Sequence, residues 1–181
     1  RKFNGIYDEV LVEPEVLLPD NAACMRLPGI DGKQKMSKSL GNCIYLSDEP
    51  EVIKKKIMSM FTDPNHLRIE DPGDTENNPA FIYLDAFSKQ EHFEEFLPEY
   101  ANLDELKAHY QRGGLGDVKV KKFLNNVMQT ELKPIRERRK EWEQKIPEVY
   151  EILKTGSEEA KQVAQQTLHD VRKAMKINYF E

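Results

Sequence analysis

Between residues 117 and 145, Val120, Phe123, Leu124, Val127, Met128, Leu132 and Ile135 recur at steps of mostly three and four, a spacing that no β-strand presents on one face. Such a stripe needs other helices to cover it. The same period returns in Val52, Ile53, Ile57 and Met60, in Phe81, Ile82, Leu84 and Phe87, in Phe93, Phe96 and Leu97, and in Leu103, Leu106 and Tyr110. Helix-starting residues precede several of these runs. Asp48, with Glu51 three positions on, predicts a cap for a helix over 49–61; Asn78-Pro79 places a cap before a proline at the first helical position; Asn102 caps the run that holds Leu106. Pro134 is expected to kink or end the long helix near Lys133, because its ring removes a backbone donor. Ser157 is expected to cap a last helix with Ala160, Val163, Ala164, Leu168, Val171 and Met175 on one face.

Residues 1–46 have another texture. Pro14, Pro19, Pro28, Gly5, Gly29, Gly32 and Gly41 punctuate short apolar runs such as Val10-Leu11-Val12 and Ile44-Tyr45-Leu46, which predicts loops and short strands. Residues 62–78, with Pro64, Pro72, Gly73 and an acidic excess, read as a solvated connector. The predicted fold is mainly α: a short α/β part over residues 1–61, then a helical bundle over 62–181.

With 39% hydrophobic residues in 181, the chain can bury a core, and no apolar run approaches the roughly 20 residues that cross a bilayer. No membrane association is therefore expected. Cys24 and Cys43 fit no metal-ligand spacing and read as free thiols; His66, His92, His109 and His169 are scattered, so no metal site is expected. The chain begins Arg1-Lys2-Phe3-Asn4 without an apolar signal stretch, and it reads as cut from something longer.

The segment hardest to explain structurally is Lys35-Met36-Ser37-Lys38-Ser39, between Gly29-Ile30-Asp31-Gly32 and Gly41-Asn42. Two ammonium groups, two hydroxyls and flanking glycines suit a loop that folds over a polyphosphate: glycines allow close backbone approach, lysines supply compact charge, and hydroxyls donate neutral hydrogen bonds. Cations preorganised where pyrophosphate departs stabilise the transition state more than the ground state. By composition alone, a solvated basic surface loop explains the segment equally well.

Read literally, residues 35–39 are identical to the KMSKS signature of class I aminoacyl-tRNA synthetases. The flanks Leu27-Pro28-Gly29-Ile30-Asp31-Gly32, Leu40-Gly41-Asn42 and Ile44-Tyr45-Leu46-Ser47-Asp48 resemble the bacterial-type tryptophanyl-tRNA synthetases, as do Phe61-Thr62-Asp63-Pro64, Gly114-Leu115-Gly116-Asp117-Val118-Lys119 and Leu132-Lys133-Pro134-Ile135-Arg136-Glu137-Arg138. These matches are spread over the whole chain, and the tyrosyl enzymes are the competing relatives. The family's first signature, a His-x-Gly-His type motif, is absent. The resemblance therefore implies the C-terminal edge of a Rossmann-like catalytic domain with the signature loop, followed by a helical anticodon-binding domain, and a fragment inactive by itself. It implies a cytoplasmic ligase, homodimeric as the parent, that uses ATP and Mg²⁺ to join tryptophan to tRNA(Trp). Lys38 would contact the ATP phosphates with Lys35 assisting; Met36, Ser37 and Ser39 would complete the ATP loop; Met25 would lie beside the adenine, although filling an apolar gap explains it as well.

Residues 117–145 carry nine basic and five acidic side chains, a net +4 in a chain of net -5. Such segregation fits RNA phosphates, whose neutralisation releases counterions. Joined to the resemblance, it makes Lys121, Lys122, Lys133, Arg136, Arg138 and Arg139 candidate tRNA contacts; an ordinary solvated helix face is the bland alternative. Trp142 and Tyr110 can stack on unpaired bases, but core packing is the expected role of both. Lys54, Lys55 and Lys56 are expected on an exposed face. A non-catalytic RNA-binding module with a vestigial loop is the competing function.

Overall fold

The computed structural model describes residues 1–18, 27–32 and 35–179. Its elements are α1 (Lys2–Ile6), α2 (Pro50–Met58), α3 (Pro79–Phe87), α4 (Gln90–Phe96), α5 (Leu103–Arg112), α6 (Asp117–Glu143) and α7 (Ile146–Ala174). The protein is mainly helical, as expected. The short strands are not found: among the described residues, extended backbone pairs only at an isolated antiparallel bridge between Pro28 and Lys35. Three-residue apolar runs without a neighbouring partner leave too many backbone groups unpaired to persist as strands. Ile44 instead packs against the helical core, and Val12 is exposed.

The chain divides into two compact units, one made of Arg1–Leu17 with Lys140–Glu181, the other of Leu18–Arg139. In the larger unit, Ile53 and Ile57 of α2 share a core with Phe81 and Leu84 of α3, Phe93 of α4, Leu106 and Tyr110 of α5, and Val120, Phe123, Leu124, Val127, Met128 and Leu132 of α6. The long stripe read from the sequence is thus the spine of this core, while Ile135, its last expected member, lies 36% exposed. Packing runs across residue 62, so α2 shares one compact unit with α3, α4, α5 and most of α6.

Capping chemistry places the helix starts. The Asn78 side chain accepts the Ala80 N–H (3.0 Å) and that of Asn102 accepts the Glu105 N–H (3.0 Å), each satisfying an orphan donor of a first turn. At α2 the cap is Glu49 rather than Asp48. Asp48 is engaged elsewhere: its carboxylate accepts the Tyr45 N–H (2.8 Å) and pairs with Lys56, tying the preceding loop to the helix.

Pro134 does not end α6, which continues to Glu143. Thr130 and Pro134 are both exposed, so water can reach the carbonyl that the missing donor releases. The acidic connector is packed rather than free. Thr75 is buried and accepts from Gln111 Nε2 (2.9 Å), the Gly73 N–H reaches the Tyr110 carbonyl (3.1 Å), and Asp63 and Asp74 take up local backbone donors. The side-chain amide of Asn77 holds the Asp74 carboxyl below its ordinary pKa. Gly73 is required here, since a Cβ would come within 2.1 Å of the Tyr110 ring.

In the smaller unit, α7 spans 29 residues and none of them is buried. Ser157 lies inside this helix, not at its start, because Pro147 already opens it in the first turn. The apolar face expected from Ala160 to Met175 forms but is uncovered within the unit: Val163 is 70% exposed. Trp142 is likewise half-exposed instead of core, with the Lys145 ammonium 5.7 Å from its ring centroid.

Candidate functional site

The signature segment leaves the bridge at Lys35 and turns at residues 38–41, where the Gly41 N–H meets the Lys38 carbonyl at 3.2 Å. Gly41 sits at φ +66°, a left-handed conformation that side chains strain to adopt. Met36 packs against the helical core, whereas Lys35, Lys38 and Ser39 are exposed. One apolar anchor therefore holds the loop down while both ammonium groups stay in solvent. The hydroxyls of Ser37 and Ser39 lie 2.9 Å apart, so a single small anionic group could meet both. Met25, the expected adenine neighbour, lies outside the described residues.

Behind the loop lies Asn42, which in the sequence is only a flank of the signature. Asn42 is 5% exposed, and its side chain joins three segments. Oδ1 accepts the Ser37 N–H (2.8 Å); Nδ2 donates to the Asp31 carboxylate (3.2 and 3.3 Å) and, more weakly, to the Lys35 carbonyl (3.4 Å). Its own carbonyl accepts the Ile30 N–H at 3.0 Å. Gly29 leaves room for this amide, since a Cβ there would lie 2.1 Å from Asn42 Nδ2. The base of the loop is fixed to α3 through Tyr83, whose hydroxyl donates to the Pro28 carbonyl (2.9 Å) and whose burial pushes its pKa up. An amide directly after Gly41 was the available signal, but only the fold shows what it binds.

The six basic candidates on α6 separate into two kinds. Lys121 is buried, and its ammonium donates to the carbonyls of Met60 (2.6 Å) and Met58 (3.3 Å), closing the C-terminal end of α2. Burial lowers its pKa. Arg136 is also buried, donating through Nη2 to Gln129 (3.1 Å), while its Nη1 has no hydrogen-bond partner among the described residues. Lys122, Lys133, Arg138 and Arg139 are exposed. Lys133 lies 4.0 Å from Glu137, and Arg138 donates to the Pro134 carbonyl (3.3 Å).

Lys122 stands where an open groove of about 640 Å³, lined by His66, Arg68, Ile69, Tyr100 and Lys119, comes against α6. His66 stacks on Tyr110 (4.5 Å), and neither of its ring nitrogens has a partner among the described residues. Lys119 pairs with Glu99 (2.7 Å), a bond that raises the lysine pKa and lowers that of the glutamate. Arg68 and His66 were not singled out by sequence because they fall in the connector, away from the charge count. Tyr110 is core, as expected, and donates to Asp117 (2.7 Å). Of the lysine triple, Lys54 and Lys55 are exposed as expected, but Lys56 is half-buried over the Tyr45 ring.

A class-defining signature loop carried on a helical body is the combination seen here, and the family of class I tRNA synthetases (W and Y) matches residues 1–133; the chain belongs to that family. Within it the likeness is to the tryptophan members. Tryptophan–tRNA ligase of Clostridium longisporum is 58% identical over 181 residues, covering 99% of this chain and 50% of its own length. That of Lactococcus lactis subsp. lactis is 54% identical over 182 residues, with 100% and 51% covered. The crystal structure of tryptophanyl-tRNA synthetase from Campylobacter jejuni, complexed with ADP and tryptophan, superposes with a TM-score of 0.68 at 29% identity over 97% of this chain and 50% of that one. The chain spans about half the length of the curated relatives it matches.

Proposed function

We propose that this chain is the C-terminal half of a tryptophan–tRNA ligase, which activates tryptophan with ATP and transfers it to tRNA(Trp). The observation that carries the reading is the literal signature at residues 35–39, displayed on an anchored loop, in a chain 58% identical along its length to a tryptophan–tRNA ligase. Residues 1–61 supply the edge of the Rossmann-like catalytic domain with the ATP loop, and residues 62–181 the anticodon-binding part. The tyrosyl reading has less support, since both curated relatives described above are tryptophan–tRNA ligases. The whole enzyme works as a cytoplasmic homodimer.

Lys38 holds its charge toward the β- and γ-phosphates, Lys35 assists, and Ser37 and Ser39 donate hydrogen bonds to phosphate oxygens; Met36 anchors the loop. As tryptophan attacks the α-phosphate, negative charge grows on the departing pyrophosphate, and the lysines stabilise it there. Mg²⁺ would neutralise the triphosphate. Among the described residues no group of three His, Cys, Asp or Glu side chains is placed to cage a metal, so the ion would come with the nucleotide. Lys122, Lys133, Arg138 and Arg139 meet tRNA phosphates, the groove beside Lys122 offers room for an unpaired nucleotide, and Lys121 and Arg136 support that face from beneath.

The test is Lys38→Ala in the intact enzyme, where tryptophan-dependent pyrophosphate exchange should fall about tenfold or more. An unchanged rate removes Lys38 from the mechanism. Titration with tRNA(Trp) and a tyrosine tRNA at two salt concentrations tests the partner: salt-sensitive binding that prefers tRNA(Trp) is expected, and equal binding of both would refute the assignment.

A further inference from the structure

We propose that Asn42 is a positioning residue for the ATP-dependent step, acting with Asp31 as a latch that sets where the signature loop carries its lysines. The inference rests on the reading that residues 35–39 serve ATP. Its ground is the connectivity of one side chain: the Asn42 amide reaches the backbone of both Lys35 and Ser37 and the carboxylate of Asp31, and it does so buried. Lys35 and Lys38 are exposed, and their backbone is otherwise held by the bridge to Pro28, the Met36 anchor and the turn at Gly41. Flexible lysine stems aim well only if their backbone is held, and in a buried amide both ends are directional. The two ends are also different: Oδ1 can only accept and Nδ2 only donate. That asymmetry is what Asp31 reads, and aspartate at position 42 would set two carboxylates within hydrogen-bond distance of each other.

The pair can therefore be exchanged. In the intact enzyme, Asn42→Asp opposes Asp31 with a like charge and removes the donor to the Lys35 carbonyl, pushing the side chain that holds Ser37 out of place, so kcat/KM for ATP in pyrophosphate exchange should fall about tenfold or more, while KM for tryptophan stays within about twofold. The double variant D31N/N42D restores a donor facing a carboxylate with the roles reversed. It should recover to within about threefold of wild type. A change that merely damaged the fold would move KM for tryptophan as well and would not be rescued by a second substitution.

Lys38→Ala runs beside these variants. If it lowers exchange while N42D does not, or if the double variant is no better than N42D, the latch is overturned and the ATP reading stands. If Lys38→Ala is also without effect, the ATP reading itself has failed, and the latch fails with it. Should N42D not fold, Asn42→Ser replaces it: the hydroxyl is too short to bridge to Asp31, the same selective loss in ATP kinetics is expected, and a rate unchanged from wild type overturns the proposal.

Discussion

The signature loop and the basic face of α6 were both singled out by their lysines, yet the structure treats them differently. In the loop the charged residues stand in solvent and the apolar one is held, so the motif's own order of residue types already contains its geometry. On α6 the basic residues are counted alike by sequence, but Lys121 and Arg136 face inward and are committed to the fold, while Lys122, Lys133, Arg138 and Arg139 face out. A count of charge measures a field. It does not distinguish a cation that closes a helix end from one displayed at the surface.

The largest expected effect sharpens the loop side of this contrast. If Lys38 makes one charge-assisted contact that strengthens in the transition state, Lys38→Ala costs about 2 to 4 kcal/mol of activation free energy, read as the loss in pyrophosphate exchange, with thermal stability unchanged. A stability loss of similar size would show that the loop lysine is structural after all.

Next comes the inward side. Lys121→Met keeps the stem's volume and removes the ammonium that closes α2, leaving the Met60 carbonyl unpaired; unfolding in urea should show a loss of about 1 to 3 kcal/mol. Lys122→Ala, its neighbour, should change stability by less than about 0.5 kcal/mol but weaken tRNA binding and reduce the salt slope by about one. The distinction between the two sides breaks if both variants behave alike.

The smallest effect is in pH. Burial sets the Lys121 pKa below the ordinary lysine value of 10.5. Between those two values the unfolded chain binds the extra proton, so the residue's contribution to stability grows as pH rises through that interval. The difference in unfolding free energy between wild type and Lys121→Met should therefore widen as pH rises toward 10.5. A narrowing difference would mean that the buried ammonium is favoured, not penalised, by its surroundings.

Much of the fold was legible in the chain. The stripe from Val120 to Leu132 and the caps at Asn78 and Asn102 rest on periods and on side-chain-to-backbone bonds that span two or three residues, and local rules reach that far. Elsewhere a longer-range partner or solvent overrides the local rule. Asp48 caps nothing because Tyr45 and Lys56 compete for its carboxylate. Pro134 passes through α6 because that side of the helix is open to water. The connector packs because Gln111 and Tyr110, more than thirty residues away in sequence, bind Thr75 and Gly73.

The helical class, the signature and the segregation of charge are carried by periodicity, a literal pentapeptide and composition, none of which depends on which surfaces meet. Which lysine is buried, and that Asn42 ties the loop to Asp31, come from the folded chain alone. The first depends on carbonyls 61 and 63 residues away and the second on a carboxylate 11 residues away, beyond the reach of local periodicity, and burial changes the energy of a polar group far more than its identity does.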